Sequence, residues 1–158
     1  MDQSAAGSMG KNHYIRLLAM TVLSFIAMFV LMYAMVDRFA NVYANLNQFY
    51  MAALMTAAMV IIELLLMSGM YPNRRLNAVL IVVSIGALTA FWFFTREQTA
   101  ISDRQFLRSM IPHHAGAILM CNEAQLADPR LQQLCRDIVE GQQKEIDLMT
   151  EKLRELDR

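Results

Sequence analysis

Three uninterrupted apolar runs constrain this chain more than any other feature: Leu17 to Val36, Phe49 to Met70 and Leu76 to Phe94. Each is about 20 residues long, and at about 1.5 Å of rise per residue each can cross a hydrocarbon core of roughly 30 Å as a helix. Lipid offers no partner to backbone N–H and C=O groups, so an isolated run of this length reads as a helix that satisfies its own. Between Leu17 and Thr95 the acidic and basic residues are Asp37, Arg38, Glu63, Arg74 and Arg75, whereas from Arg96 onward charge is dense and both signs mix. The formal net charge of zero and the 56% hydrophobic content are therefore averages over two unlike halves. No extended basic surface exists, which argues against nucleic acid as a partner. The lipid bilayer is the first partner implied.

The rest of the chain orders itself around these runs. Residues 1–14 are small and polar and read as a disordered tail. The first apolar run lacks a following A-x-A-like cleavage site, so it reads as a retained anchor and not a signal peptide. Asp37 to Gln48 is a polar connection, and Tyr71-Pro72-Asn73-Arg74-Arg75 a tight basic turn. Phe91 to Phe94 closes the third run with the aromatic cluster of a membrane interface. Residues 15–96 thus form a three-helix transmembrane region. Lys11, Arg16, Arg74 and Arg75 fall on one side and Arg38 and Arg96 on the other, which places the N-terminus in the cytoplasm. Three crossings then put residues 101–158 outside. In a bacterium this means an inner-membrane protein with a periplasmic C-terminal domain.

That domain opens with Ser102-Asp103-Arg104-Gln105, an S-x-x-Q capping box. A first helix is expected to about Leu126, kinked or restarted at Pro112, which cannot donate to the carbonyl of Arg108. Asp128-Pro129 breaks it. Leu131, Leu134, Ile138, Gln142, Met149, Leu153 and Leu156 then recur at helical spacing, with Glu140 and Lys144 as an i,i+4 pair. The fold class is all-α: three transmembrane helices followed by an antiparallel helical hairpin. So small a hairpin cannot bury both apolar faces, so the domain is expected to complete a four-helix bundle as a homo-oligomer or to dock on the membrane helices.

Chemistry concentrates in Met110-Ile111-Pro112-His113-His114, followed by Met120 and Cys121. Steps of three, four and seven fall on one helix face. Folding the hairpin about Asp128-Pro129 sets His113 opposite Gln142, Met110 opposite Glu145 and Phe106 opposite Met149. Imidazole with thioether favours Cu(I), and a nearby carboxylate would also suit Zn(II) or Cu(II). The plainer reading keeps the methionines as core and the histidines as surface. Cys121 and Cys135 fall within one step of each other and suit a disulfide in an oxidising compartment, with metal ligation and buried thiols as alternatives. Glu63 lies in the second run among Met51, Met55, Met59, Met67 and Met70, and the chain holds 14 Met. Either this is a soft-metal path, or Glu63 is a protonated packing residue and Met simply an apolar one. No nucleotide-binding, esterase or zinc-protease motif occurs, so the chain is expected not to be an enzyme.

Ser102 to Phe106, Met110 to His114, Met120, and Gln142 to Ile146 with Met149 together resemble the domain-of-unknown-function 305 family over roughly the last third of the chain. The resemblance implies a ferritin-like helical arrangement and, as in some family members, periplasmic copper binding through Met and His. It implies Met110, His113, His114 and Met120 as ligands, with Glu145 and Met149 in addition. Ala115 departs from the Gln that many members carry after the His pair. A single copy of the domain, fused to three spans, departs from tandem copies and favours pairing between chains. The expected function is membrane-anchored copper binding for tolerance or delivery, with a copper donor or acceptor protein as partner. The alternatives are a metal-free oligomerisation module, and a small metal transporter using Glu63 and the Met-rich spans.

Overall fold

The structure, a computed structural model, describes residues 3–158, with side chains from Asn12 onward. Five α-helices follow one another: α1 (Gln3–Leu31), α2 (Leu46–Leu66), α3 (Arg74–Arg96), α4 (Asp103–Glu123) and α5 (Pro129–Leu156), and no strand occurs among the described residues. Short 3-10 turns at Met32–Met35, Phe39–Asn41 and Ser68–Met70 punctuate the connections. The tail expected to be disordered over residues 1–14 is instead part of α1 from Gln3 onward. Its last member, Tyr14, is tied down, its hydroxyl donating to Asn77 Oδ1 at 2.7 Å.

Two units form. The first joins the residues up to Val30 to Phe49–Thr99, and the second joins Leu31–Gln48 to Ala100–Arg158. The first holds the three helices long and apolar enough to cross a membrane, Asn12–Met35, Leu46–Leu66 and Arg74–Arg96, with mean hydropathies of 2.3, 2.1 and 2.2. Within it α2 is the most enclosed, burying Tyr50, Ala52, Thr56, Ala57, Val60 and Leu64. Leu17, Val60, Leu64 and Tyr71 make a core, and Phe25, Phe49, Phe91, Tyr50 and Phe94 a ring cluster with centroids 5.2–6.1 Å apart. Outward positions such as Leu18, Leu23, Leu66, Val82 and Phe93 are exposed large hydrophobics, as lipid contact requires. Thr21, Thr56 and Thr95 return their hydroxyls to the carbonyls of Leu17, Ala52 and Phe91 at 2.7–2.9 Å, so these hydroxyls need no outside partner.

The second unit is the hairpin of α4 and α5 with the first connection packed on it. Ile111, Ala115 and Ile118 of α4 meet Ile146 and Leu153 of α5, and Val36 and Tyr43 from the connection pack against the same core. The connection is held by polar contacts as well: Gln105 Oε1 accepts from the Leu46 N–H (3.0 Å), Asn47 Nδ2 donates to Ser109 Oγ (3.1 Å), and Arg38 donates to Gln143 Oε1 (2.8 Å). A Cβ on Gly116 would lie 3.4 Å from the carbonyl oxygen of Met35, so the connection approaches α4 where α4 has no side chain. Asp37 to Gln48 is thus more than a linker.

Three local expectations are corrected. Ser102 starts α4 without a side-chain cap bond, and the Gln105 side chain, the far half of the expected capping box, accepts from Leu46 instead. The helix runs through Pro112 from Asp103 to Glu123 without the restart expected there. A proline in a helix interior costs about 3 kcal/mol, and here Ile111, Pro112, Ala115 and Gly116 are all buried, so packing holds the backbone helical. α4 also ends at Glu123, three residues before Leu126, and Asp128 caps α5 by accepting from the Arg130 N–H at 2.8 Å.

Candidate metal-binding face

The longer turn moves the register of the hairpin. His114 Nε2 lies 2.7 Å from Glu145 Oε2, and Arg104 Nε lies 3.3 Å from Asp157 Oδ1. Glu145 therefore meets His114, one turn along α4 from the Met110 expected opposite it. The error came from centring the fold on Asp128-Pro129, where α5 in fact begins.

The two histidines take different places. His114 is buried, and both ring nitrogens are engaged: Nδ1 lies 2.9 Å from the carbonyl oxygen of Met110 and Nε2 faces Glu145. A carbonyl can only accept, so Nδ1 carries hydrogen and donates. A proton must then lie between Nε2 and the carboxylate, on one partner or the other. Glu145 is itself well exposed (59% of its side chain), so solvent screens much of the charge in this pair. His113 is exposed, its ring edge toward that of His114 with centroids 5.9 Å apart. Met110 is half-buried, Met120 is exposed at 54%, and Met149 packs against the hairpin core. Of the six residues marked by sequence, His113, Met110 and Met120 thus share one side of α4. His114 and Glu145 form a satisfied pair beside them, and Met149 belongs to the core.

Among the described residues no group of three or more His, Cys, Asp or Glu side chains converges as a metal site. Thioethers are a separate matter. Met110 and His113 are three residues apart, neighbours on a helix surface with about 5–6 Å between Cβ atoms, within which two side chains can bend toward one ion. Met120 is seven residues from His113, about 10 Å along the axis, too far to join them within one chain.

Cys121 and Cys135 are joined by a disulfide with a Cα–Cα distance of 5.2 Å. It ties α4 to α5 beside the turn. A cavity of about 470 Å³ opens there, lined by Cys121, Asn122, Gln125, Gln132, Cys135 and Arg136, away from both histidines.

Glu63 proves to have a partner, which sequence reasoning missed. It sits in the last turn of α2, not in mid-span, and its Oε1 accepts from the Tyr71 hydroxyl at 3.0 Å. Tyr71 is buried, its ring lies tilted against Tyr14 with centroids 5.4 Å apart, and its carbonyl accepts from Asn77 Nδ2 at 2.9 Å. Burial first, and the Glu63 carboxylate second, push the Tyr71 hydroxyl above its ordinary range. The signal available in the sequence was the eight-residue spacing across a turn that reverses the chain. Glu63 thus helps to close the end of the three-helix unit.

The comparisons with known proteins agree with this division. The family model described as domain of unknown function (DUF305) matches residues 93–153. A relative, Uncharacterized protein L153 of Acanthamoeba polyphaga mimivirus, is 32% identical over 142 residues, covering 88% of this chain and 91% of its own. No solved structure matches. That alignment is too long to be confined to the hairpin, so the likeness takes in apolar spans as well, and the chain belongs to the DUF305 family.

Proposed function

We propose that this protein is a membrane-anchored binder of a soft metal ion, Cu(I) before Cu(II) or Zn(II), using the face of α4 that carries His113, Met110 and Met120. The observation that carries the reading is the split between the two histidines. His114 is buried and held on both nitrogens, while its neighbour His113 stays exposed beside thioethers. Thioether with imidazole is a donor set that favours Cu(I) over harder ions.

Two features support a side of the membrane for the hairpin. The connection Leu31–Gln48 belongs to the same unit as the hairpin, so a chain whose three helices cross keeps both on one side. A disulfide persists in oxidising compartments, so that side is the periplasm or its equivalent, with the Arg74-Arg75 turn facing the cytoplasm. The ion would be passed to or from a partner protein in that compartment.

A competition titration of the full chain in detergent against a Cu(I) chelator tests this reading. His113→Ala should weaken Cu(I) binding at least tenfold, about 1.4 kcal/mol. Equal affinity in wild type and variant would reject it. One observation favours a second reading, a metal-free assembly module: the His114–Glu145 pair is already satisfied without an ion. On that reading His113→Ala changes neither metal binding nor stability, and His114→Ala changes stability alone.

A further inference from the structure

One broad side of the hairpin is covered by the chain's own connection, through Gly116 against Met35 and the pairs Gln105–Leu46, Ser109–Asn47 and Gln143–Arg38. The other side is open and carries two heptad stripes. On α4 the stripe is Phe106, His113 and Met120, with Phe106 49% and Met120 54% exposed; on α5 it is Leu134, Gly141 and Leu148, with both leucines more than half exposed. The His114–Glu145 hydrogen bond joins their edges, since His114 adjoins His113 while Glu145 lies four residues from Gly141 and three from Leu148. Both stripes therefore open the same way. Seven-residue spacing is the pattern of a helix seam that expects another helix.

Gly141 points to which helix. A glycine inside a long helix weakens it, and a Cβ at Gly141 would meet nothing within 4 Å, so nothing among the described residues requires it. Its neighbours on the stripe are leucines seven residues before and seven after. A two-fold axis through Gly141 sets the backbones close and lays each Leu134 on the partner's Leu148, an isologous contact that only a second copy provides. Phe106, Met120, Leu134 and Leu148 expose on the order of 100 Å² each, and Leu131, Ile138, Met110 and His113 at the edges bring the face toward the ~800 Å² per partner of a stable interface.

We propose that a second copy of this chain docks antiparallel on the open face about Gly141, and that each copy's His113 shares its ion with the partner's Met120. By the register that pairs His114 with Glu145 and Arg104 with Asp157, Gly141 lies level with the Ala117–Ile118 step of α4. The same axis therefore lays α4 on its counterpart across the small Ala117. It brings His113 to within about 4–5 Å, along the axis, of the partner's Met120, where one chain alone holds these residues about 10 Å apart. Two equivalent His–Met sites result, each completed by Met110 beside its own His113. The shared site rests on the metal-binding reading above, while the docking does not.

The full chain in nanodiscs tests both parts. No free cysteine is present among the described residues, so Gly141→Cys introduces a single reactive thiol on the axis. A short bis-maleimide should then link most chains into dimers, while Asp147→Cys, on the far side of α5, should give monomers. Monomers from a Gly141→Cys protein with wild-type helicity would overturn the docking. For the site, His113→Ala and Met120→Ala chains are mixed and exchanged. Mixed dimers keep one intact site of two, so Cu(I) capacity should return to about one quarter of wild type from near zero in either variant alone. No recovery, although mixed dimers form, overturns the shared site. Cross-linked dimers whose wild type binds no Cu(I) would instead reject the metal reading, with the docking upheld.

Discussion

The threonines of the spans and the polar side chains that hold the hairpin unit find their partners in different ways. In the spans Thr21, Thr56 and Thr95 return their hydroxyls to carbonyls within one helical turn, which suits hydrocarbon, where water is absent. In the hairpin unit polar side chains reach between segments distant in sequence: Gln105 to Leu46, Ser109 to Asn47, Gln143 to Arg38, Glu145 to His114. Each adds little alone, but together they fix how the first connection lies on the hairpin and how α5 meets α4. The spans are defined by what surrounds them, the hairpin by what its residues touch. Side-chain substitutions should therefore register mainly in the hairpin.

The largest effect should come from the disulfide. It closes a loop with a sequence separation of 14, and Cys121→Ser with Cys135→Ser should cost about 3 kcal/mol. A thermal melt of the full chain in detergent would show an early hairpin transition, with the spans still helical. A single transition shifted as a whole would break the contrast between the units. Next comes His114→Ala, which empties a buried site and removes the bond to Glu145, at about 2 kcal/mol. A double-mutant cycle with Glu145→Ala should recover less than about 1 kcal/mol of coupling, because the carboxylate is largely exposed.

Gly116→Val should cost about 1–2 kcal/mol by pressing on the Met35 carbonyl, while Gly116→Ala should be nearly neutral at a 3.4 Å approach. Equal, small effects of both in urea titration would mean the connection does not pack there. In the membrane unit Tyr71→Phe should cost about 1 kcal/mol by unpairing Glu63, without moving the hairpin transition. The smallest effect is at Glu140. Lys144, bonded to it at 2.6 Å, lowers its carboxyl below the ordinary Glu value. The pair therefore contributes above that ordinary value and loses its contribution as pH falls through the lowered one. Glu140→Gln should flatten this acid-side slope in melts from pH 5 to 3, and Glu140 is exposed enough for the change to be slight.

The apolar spans were legible because their length and lack of charge leave one physical solution: α2 runs Leu46–Leu66 where Phe49 to Met70 was expected and α3 Arg74–Arg96 where Leu76 to Phe94 was, whereas α1 starts well before Leu17, at Gln3. Glu140 with Lys144 and the break at Asp128-Pro129 were legible because both are local. The register of the hairpin was not, since it depends on where α4 ends, and Glu123 carries no stop signal in its sequence. The capping box misled because Gln105 had a better use in a segment some sixty residues earlier, a long-range competition that no local pattern encodes. The adjacent His pair looked like one unit, yet a step of about 100° per residue sends neighbours to different surfaces, and only the packing of α5 decides which is buried.

That division between His113 and His114 is the centre of the account, and a thermal melt with and without Cu(I) on wild type, His113→Ala and His114→Ala tests it most directly. Ligand that binds the folded state alone raises its melting temperature. The account predicts that His113→Ala melts like wild type without metal and gains nothing from Cu(I), whereas His114→Ala melts lower but still rises when Cu(I) is added. The reverse pattern, with Cu(I) stabilising His113→Ala and leaving His114→Ala unmoved, would contradict it.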